Sequence, residues 1–104
     1  MQEQFSDHGH FATRQAGRYL QQLCRHFAHK VDVSSDDTSG TARFPFGPAT
    51  FTATPTELVI VVTAASDEGL ETARRVIDNH LKTFAFREGF TAMNWAGRTG
   101  GRAV

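Results

Sequence analysis

Five histidines stand in this chain of 104 residues, and three of them have a spacing that could do chemistry. His26 and His29 lie one turn apart on a segment with helical periodicity, which makes them surface neighbours. His80 falls on the inner side of a second such segment. Two imidazoles from one helix and a third from a facing helix could hold one divalent cation, zinc or ferrous iron. Asp32 and Glu88 are the carboxylates at hand to orient the rings from behind, and Arg87 beside Glu88 could hold an anion. The spacing lacks the glutamate of an H-E-x-x-H motif. On a helical wheel His26 sits at the shoulder of the apolar stripe and His29 nearly opposite it. Both can face His80 only if their helix ends near residue 28. The competing structural reading leaves His29 solvated and His26 half-buried, with His80 hydrogen-bonded to backbone or to Glu88, because buried polar groups are normally satisfied.

Other chemistries are weaker. His80 with Glu88 could form an acid–base pair for a small hydrolase or isomerase. Cys24 could be a nucleophile, but it stands mid-helix on the core side, without an N-terminal dipole to lower its pKa. It is expected to be a buried, unreactive thiol. Phe44, Phe46, Phe51, Phe84 and Phe86 could line a haem pocket with His26 or His80 as axial ligand, although a Phe-rich core explains them as well. Arg14, Arg18, Arg25 and Lys30 make a basic outer stripe, which at zero net charge reads as a solvated face. No glycine-rich run precedes a helix, so no phosphate loop is expected.

These residues need elements to position them. Ala16, Leu20, Leu23 and Phe27 recur at helical spacing and predict a helix over 12–30. Period-two runs predict strands over 31–34, 41–46, 49–54 and 57–64, with Gly47-Pro48 and Thr54-Pro55-Thr56 as turns. Ser66 or Asp67 caps a second helix over 67–85, whose stripe is Leu70, Ala73, Ile77, Leu81 and Phe84. A fifth short strand could run from Phe90 to Trp95. The order αββββα, with two apolar helix stripes and one sheet, predicts an α+β two-layer sandwich: an antiparallel sheet with both helices on one face. Residues 1–11 read as a loose arm and 96–104 as a glycine-rich tail, leaving a single domain with its core at about 12–95. An uncovered face bearing Thr50, Thr52 and Thr54 would instead suit a protein-interaction domain.

Composition sets the outer bounds. Eleven basic and eleven acidic side chains cancel, which removes a global electrostatic case for nucleic acid or an anionic membrane. One cysteine excludes an internal disulfide and a four-cysteine zinc site. The longest apolar run, Leu58 to Val62, is far short of the roughly 20 residues a bilayer core requires. With no basic or apolar leader pattern at Met1–His8, the expected location is cytoplasmic.

Three stretches carry a family resemblance: Arg18-Tyr19-Leu20-Gln21-Gln22-Leu23-Cys24-Arg25-His26-Phe27-Ala28-His29-Lys30, Arg43-Phe44-Pro45-Phe46-Gly47, and His80-Leu81-Lys82-Thr83-Phe84-Ala85-Phe86-Arg87-Glu88. In this order they resemble the bacterial family called domain of unknown function 2218, over about residues 12–95. The resemblance implies an accessory or binding module in an iron or siderophore context, because similar domains stand beside or fused to siderophore-interacting flavin reductases. Such a reductase is the partner it implies; no activity is implied. The irregular approach to Trp95 through Gly89 and Met93 departs from the family's usual short strand.

Overall fold

The computed structural model describes residues 5–97 and 99–100. Strand β1 (Phe5–Ala12) leads to helix α1 (Ala16–Phe27). A meander follows, of β2 (Asp32–Ser35), β3 (Ser39–Phe44), β4 (Gly47–Ala53) and β5 (Glu57–Ala64). Then come helix α2 (Asp67–Phe84), one turn of 3₁₀ helix (Phe86–Glu88), β6 (Asn94–Trp95) and β7 (Thr99–Gly100). The sheet is antiparallel in the order β2-β3-β4-β5-β1-β6, and β7 also pairs with β1. Helix α1 packs over β2 to β5, and α2 over β5 and β1. This is the expected α+β architecture, with more strands than four.

The periodic residues explain the layers. Leu58, Ile60, Val62 and Ala64 of β5 alternate inward, as do Ala49 and Phe51 of β4 and Gly40 and Ala42 of β3. They meet Ala16, Leu20, Leu23 and Phe27 from α1 and Leu70, Ala73, Ile77 and Leu81 from α2 in one core. Ser66 caps α2 by accepting the Gly69 N–H at 3.0 Å, and Asp67 and Glu68 follow in its first turn. Among the described residues no helix covers the other side of the sheet, and there Thr50 and Thr52 are exposed.

Several boundaries differ from the sequence expectation. The loose arm is corrected: residues 5–11 belong to β1, which pairs along its whole length with β5. Its alternation is hard to see because two of its four inward positions are Asp7 and Gly9 rather than apolar residues. Trp95 covers the gap at Gly9, where an added Cβ would lie 2.8 Å from the indole ring. Helix α1 starts at Ala16 because β1 runs to Ala12 and Thr13 turns the chain, its hydroxyl accepting the Gln15 N–H at 3.0 Å. The hairpin turn is Pro45-Phe46, not Gly47-Pro48. Gly47 opens β4 at φ 145°, and a Cβ there would lie 2.3 Å from the Thr63 carbonyl oxygen. Of the strand expected from Phe90 to Trp95, only Asn94 and Trp95 pair with β1. In the glycine-rich tail Thr99 and Gly100 pair with Ser6 and Phe5, while residues 98 and 101–104 lie outside the described residues.

Candidate functional site

Helix α1 ends at Phe27, close to where a turn toward α2 requires it, and His26 and His80 come together. Their ring centroids are 4.7 Å apart, with the planes inclined by 60°. The Phe27 ring stands edge-on to His80 at 4.8 Å, and Phe84 flanks both imidazoles. His80 is half-buried, and its Nδ1 is 2.7 Å from the Val76 carbonyl oxygen. A carbonyl can only accept, so Nδ1 carries the proton and Nε2 of the neutral ring keeps its lone pair. A shallow concavity of about 340 Å³ is lined by His26, Asn79, His80, Thr83 and Phe84. Desolvation against the neighbouring helix, then the charges of His80, Lys30 and His29, hold the His26 pKa below its ordinary value. The site is thus a pair of imidazoles at the open seam between the two helices, flanked by aromatic rings.

The remaining residues read from the sequence go elsewhere. His29 lies past the cap residue Ala28, where the chain tightens through a bond from its N–H to the His26 carbonyl, and it is exposed. Asp32 sits opposite Arg43 across β2 and β3 and pairs with it at 3.3 Å. Arg87 lies over the Phe86 ring, 5.6 Å from its centroid. Glu88 does not meet His80. Its carboxylate accepts from Thr13 at 3.0 Å and from the Tyr19 hydroxyl, tying the end of α2 to the start of α1. Among the described residues, no three His, Cys, Asp or Glu side chains converge so as to hold a metal ion. The expected three-histidine cluster with carboxylate support is therefore corrected to a pair. His29 is carried away by the helix end, and Glu88 and Asp32 are engaged by nearer donors.

Cys24 is buried against Gly40, where an added Cβ would lie 2.6 Å from the sulfur. Burial pushes its thiol pKa up, against a hydrogen bond with Ser35, so the group is not a poised nucleophile. Phe51 is fully buried in the core, and Phe44 stacks on Phe46 and meets the Phe27 ring edge-on. Phe86 is instead 64% exposed. Arg18 and Arg25 on α1, Arg14 before it and Lys30 after it are all exposed.

The Tyr19–Glu88 contact has a testable consequence. Burial, then the hydrogen bond and charge of Glu88, push the Tyr19 phenol up to about 12 from 10.0, with Arg18 opposing. Between these values the unfolded chain has lost a proton that the native state retains, so stability falls as pH rises. The full loss is about 2–3 kcal/mol, complete above the native pKa. Tyr19 is the one tyrosine of the chain, so phenolate absorbance reads it alone. A midpoint near the free value, or an alkaline loss of stability equally steep in Tyr19→Phe, would contradict this.

Sequence reasoning missed three features. Asp7 is fully buried in β1 and pairs with Arg74 of α2 at 2.6 Å. Asp78 accepts from the Met93 N–H at 2.9 Å and from the Trp95 indole N–H at 3.0 Å. His10 lies 3.1 Å from Glu57 on the uncovered face of the sheet. The available signal was the run Phe5-Ser6-Asp7-His8-Gly9-His10-Phe11, whose alternation places Asp7 with Phe5 and Phe11.

Residues 8–96 match the model of a family described as "Uncharacterized protein conserved in bacteria (DUF2218)". No curated protein matches the chain. Among solved structures, the chain is similar to the NMR structure of PA4090 from Pseudomonas aeruginosa, at 25% identity and a TM-score of 0.69. The similarity covers 91% of this chain and 95% of that one.

Proposed function

The chain belongs to the DUF2218 family of uncharacterised bacterial proteins, and from that premise we propose a binding module whose ligand is a divalent transition-metal cation held by His26 and His80. The observation that supports this reading is the ring geometry. Two imidazoles bound to one zinc-sized ion at about 2.0–2.1 Å have ring centroids roughly 4.5–5.3 Å apart for ligand angles between square and tetrahedral. The pair lies at 4.7 Å without rearrangement. The bond from His80 Nδ1 to the Val76 carbonyl is the backing that metal-ligating histidines use, and it leaves Nε2 free. With two protein ligands, water or a ligand's own donor atoms complete the coordination. Iron is the metal expected in the siderophore context implied by the family resemblance, with a flavin reductase as partner and a cytoplasmic location. A chelate already carrying its metal would need only the open positions that such a pair leaves.

The test uses untagged protein titrated with zinc, and anaerobically with ferrous iron, while the histidine ring resonances are followed. His26 and His80 are expected to shift together. His26→Ala or His80→Ala should weaken binding at this place about tenfold or more, whereas His29→Ala should change it little. Acid should release the metal, since a protonated imidazole has no lone pair to give, and the lowered His26 pKa places that release below the ordinary imidazole range. Titrations in which the His26 and His80 rings do not respond would sink the reading. One observation favours a second reading, a protein-interaction domain: the uncovered face with exposed Thr50 and Thr52. In that case partner binding would be lost on changing those threonines and kept on changing His80.

A further inference from the structure

We propose a second, independent metal site on the uncovered face of the sheet, formed by His8 and His10 of β1 with Glu57 of β5 orienting the latter. Its ligand is a divalent cation that favours imidazole: copper, nickel or zinc. Residues two apart on a strand point to the same face, about 6.6 Å apart along the chain. Two imidazoles at that spacing can turn their outer nitrogens toward one ion. Both histidines are exposed, so water can complete the coordination.

The strand beneath them is held from both sides. β1 is paired on both sides at this point, with His8 and His10 opposite Val61 and Val59 of β5, and His10 opposite Asn94 of β6. The His8 carbonyl also accepts the Ala96 N–H at 2.9 Å. The two backbone positions are therefore fixed before any ligand arrives, and only the ring torsions remain to be ordered.

His10 is already oriented. Its Nδ1 lies 3.1 Å from Glu57 Oε1. In the neutral ring Nδ1–H donates to the carboxylate, which fixes the tautomer and directs the Nε2 lone pair outward, as in carboxylate–histidine–metal arrangements. Glu57 is itself held by the turn before β5: its N–H donates to the Thr54 hydroxyl at 3.0 Å, and its carbonyl accepts the Thr54 N–H at 2.9 Å. The ordinary alternative is a solvated His8 beside an exposed His10–Glu57 ion pair, which predicts no coupling between the two rings.

The experiment uses the His26→Ala/His80→Ala double variant, so that failure of this proposal and failure of the helix-seam reading are separable. It is titrated with zinc and with nickel by calorimetry, and the ring resonances of His8 and His10 are followed. One equivalent is expected to bind, with both rings shifting together. Adding His8→Ala or His10→Ala should weaken binding about tenfold or more, and Glu57→Gln should weaken it by about 10–100-fold while both rings still respond. The two histidines are exposed, so a melting curve unchanged by their substitution excludes misfolding as the cause. An affinity left unchanged by His8→Ala or His10→Ala, a lone response of one ring, or no response to millimolar zinc or nickel overturns the proposal.

Discussion

Phe27→Ala is expected to lower the unfolding free energy by about 3–5 kcal/mol, as a large-to-small change at a closed core position. Phe27 ends α1 and is 2% exposed. Its ring meets Phe44 edge-on at 4.9 Å and stacks on Phe51 at 6.2 Å. It thus joins the helix layer to the inner face of β3 and β4. Small domains have only about 5–15 kcal/mol of net stability, so the loss is a large fraction of the total. At about 4–8 °C per kcal/mol the melting temperature should fall by tens of degrees. The same ring is the wall of His80 at 4.8 Å, so the substitution also loosens the seam where the two imidazoles meet. Phe27→Leu keeps much of the volume and should cost far less. Equilibrium denaturation of both variants checks this; a Phe27→Ala loss under about 1 kcal/mol would place the ring outside the core.

Such core positions were legible in the sequence because their spacing is fixed by the element that carries them. Leu20, Leu23 and Phe27 repeat at helical period, and Leu58, Ile60 and Val62 at strand period, and each set lies where its period puts it. β1 was not legible for the converse reason. Its inward face holds Asp7 and Gly9 between two phenylalanines, and the partners that make these residues suitable are 67 or more positions away: Arg74 for the carboxylate and Trp95 for the missing side chain. No local pattern reports such a pairing. The candidate site shows the same division. His80 on the inner side of α2 follows from helical period, but whether His26 or His29 joins it depends on where α1 stops. That end is set by the tightening bonds around Ala28 to Val31. Glu88 follows Phe84 and Phe86 closely enough in sequence to suggest His80 as a partner. In space, the 3₁₀ turn carries it to Thr13 and Tyr19.

The buried carboxylate gives the other large effect. Asp7→Ala is expected to cost about 3 kcal/mol, within the range for removing one partner of a buried ion pair. Asp7 is 0% exposed, and one of its oxygens takes the Arg74 Nε–H at 2.6 Å. The other accepts the N–H of His8 and the N–H of Gly97, both at 2.8 Å. Truncation removes all three bonds and leaves a void under α2. The Arg74 side chain is 27% exposed and can turn toward water, which keeps the penalty at the lower end of the range. The His8 and Gly97 N–H groups lose their acceptor as well, which adds to the cost. Asp7→Asn keeps an acceptor oxygen while losing the charge, so its cost should be intermediate. Replacing the pair together, Asp7→Leu with Arg74→Met, should recover much of the loss, because an apolar pair needs no desolvated charge. Loss of the Gly97 bond also frees the segment that holds Trp95 over Gly9. Trp95 is the one tryptophan of the chain, so its emission should shift red in Asp7→Ala under conditions where the fold persists. Asp78→Ala, which releases Met93 and the Trp95 indole directly but strands no charge, should show the same shift with a smaller loss of stability. A loss below about 1 kcal/mol in Asp7→Ala with unchanged Trp95 emission would mean that the carboxylate neither anchors α2 to the sheet nor fastens the chain after β6.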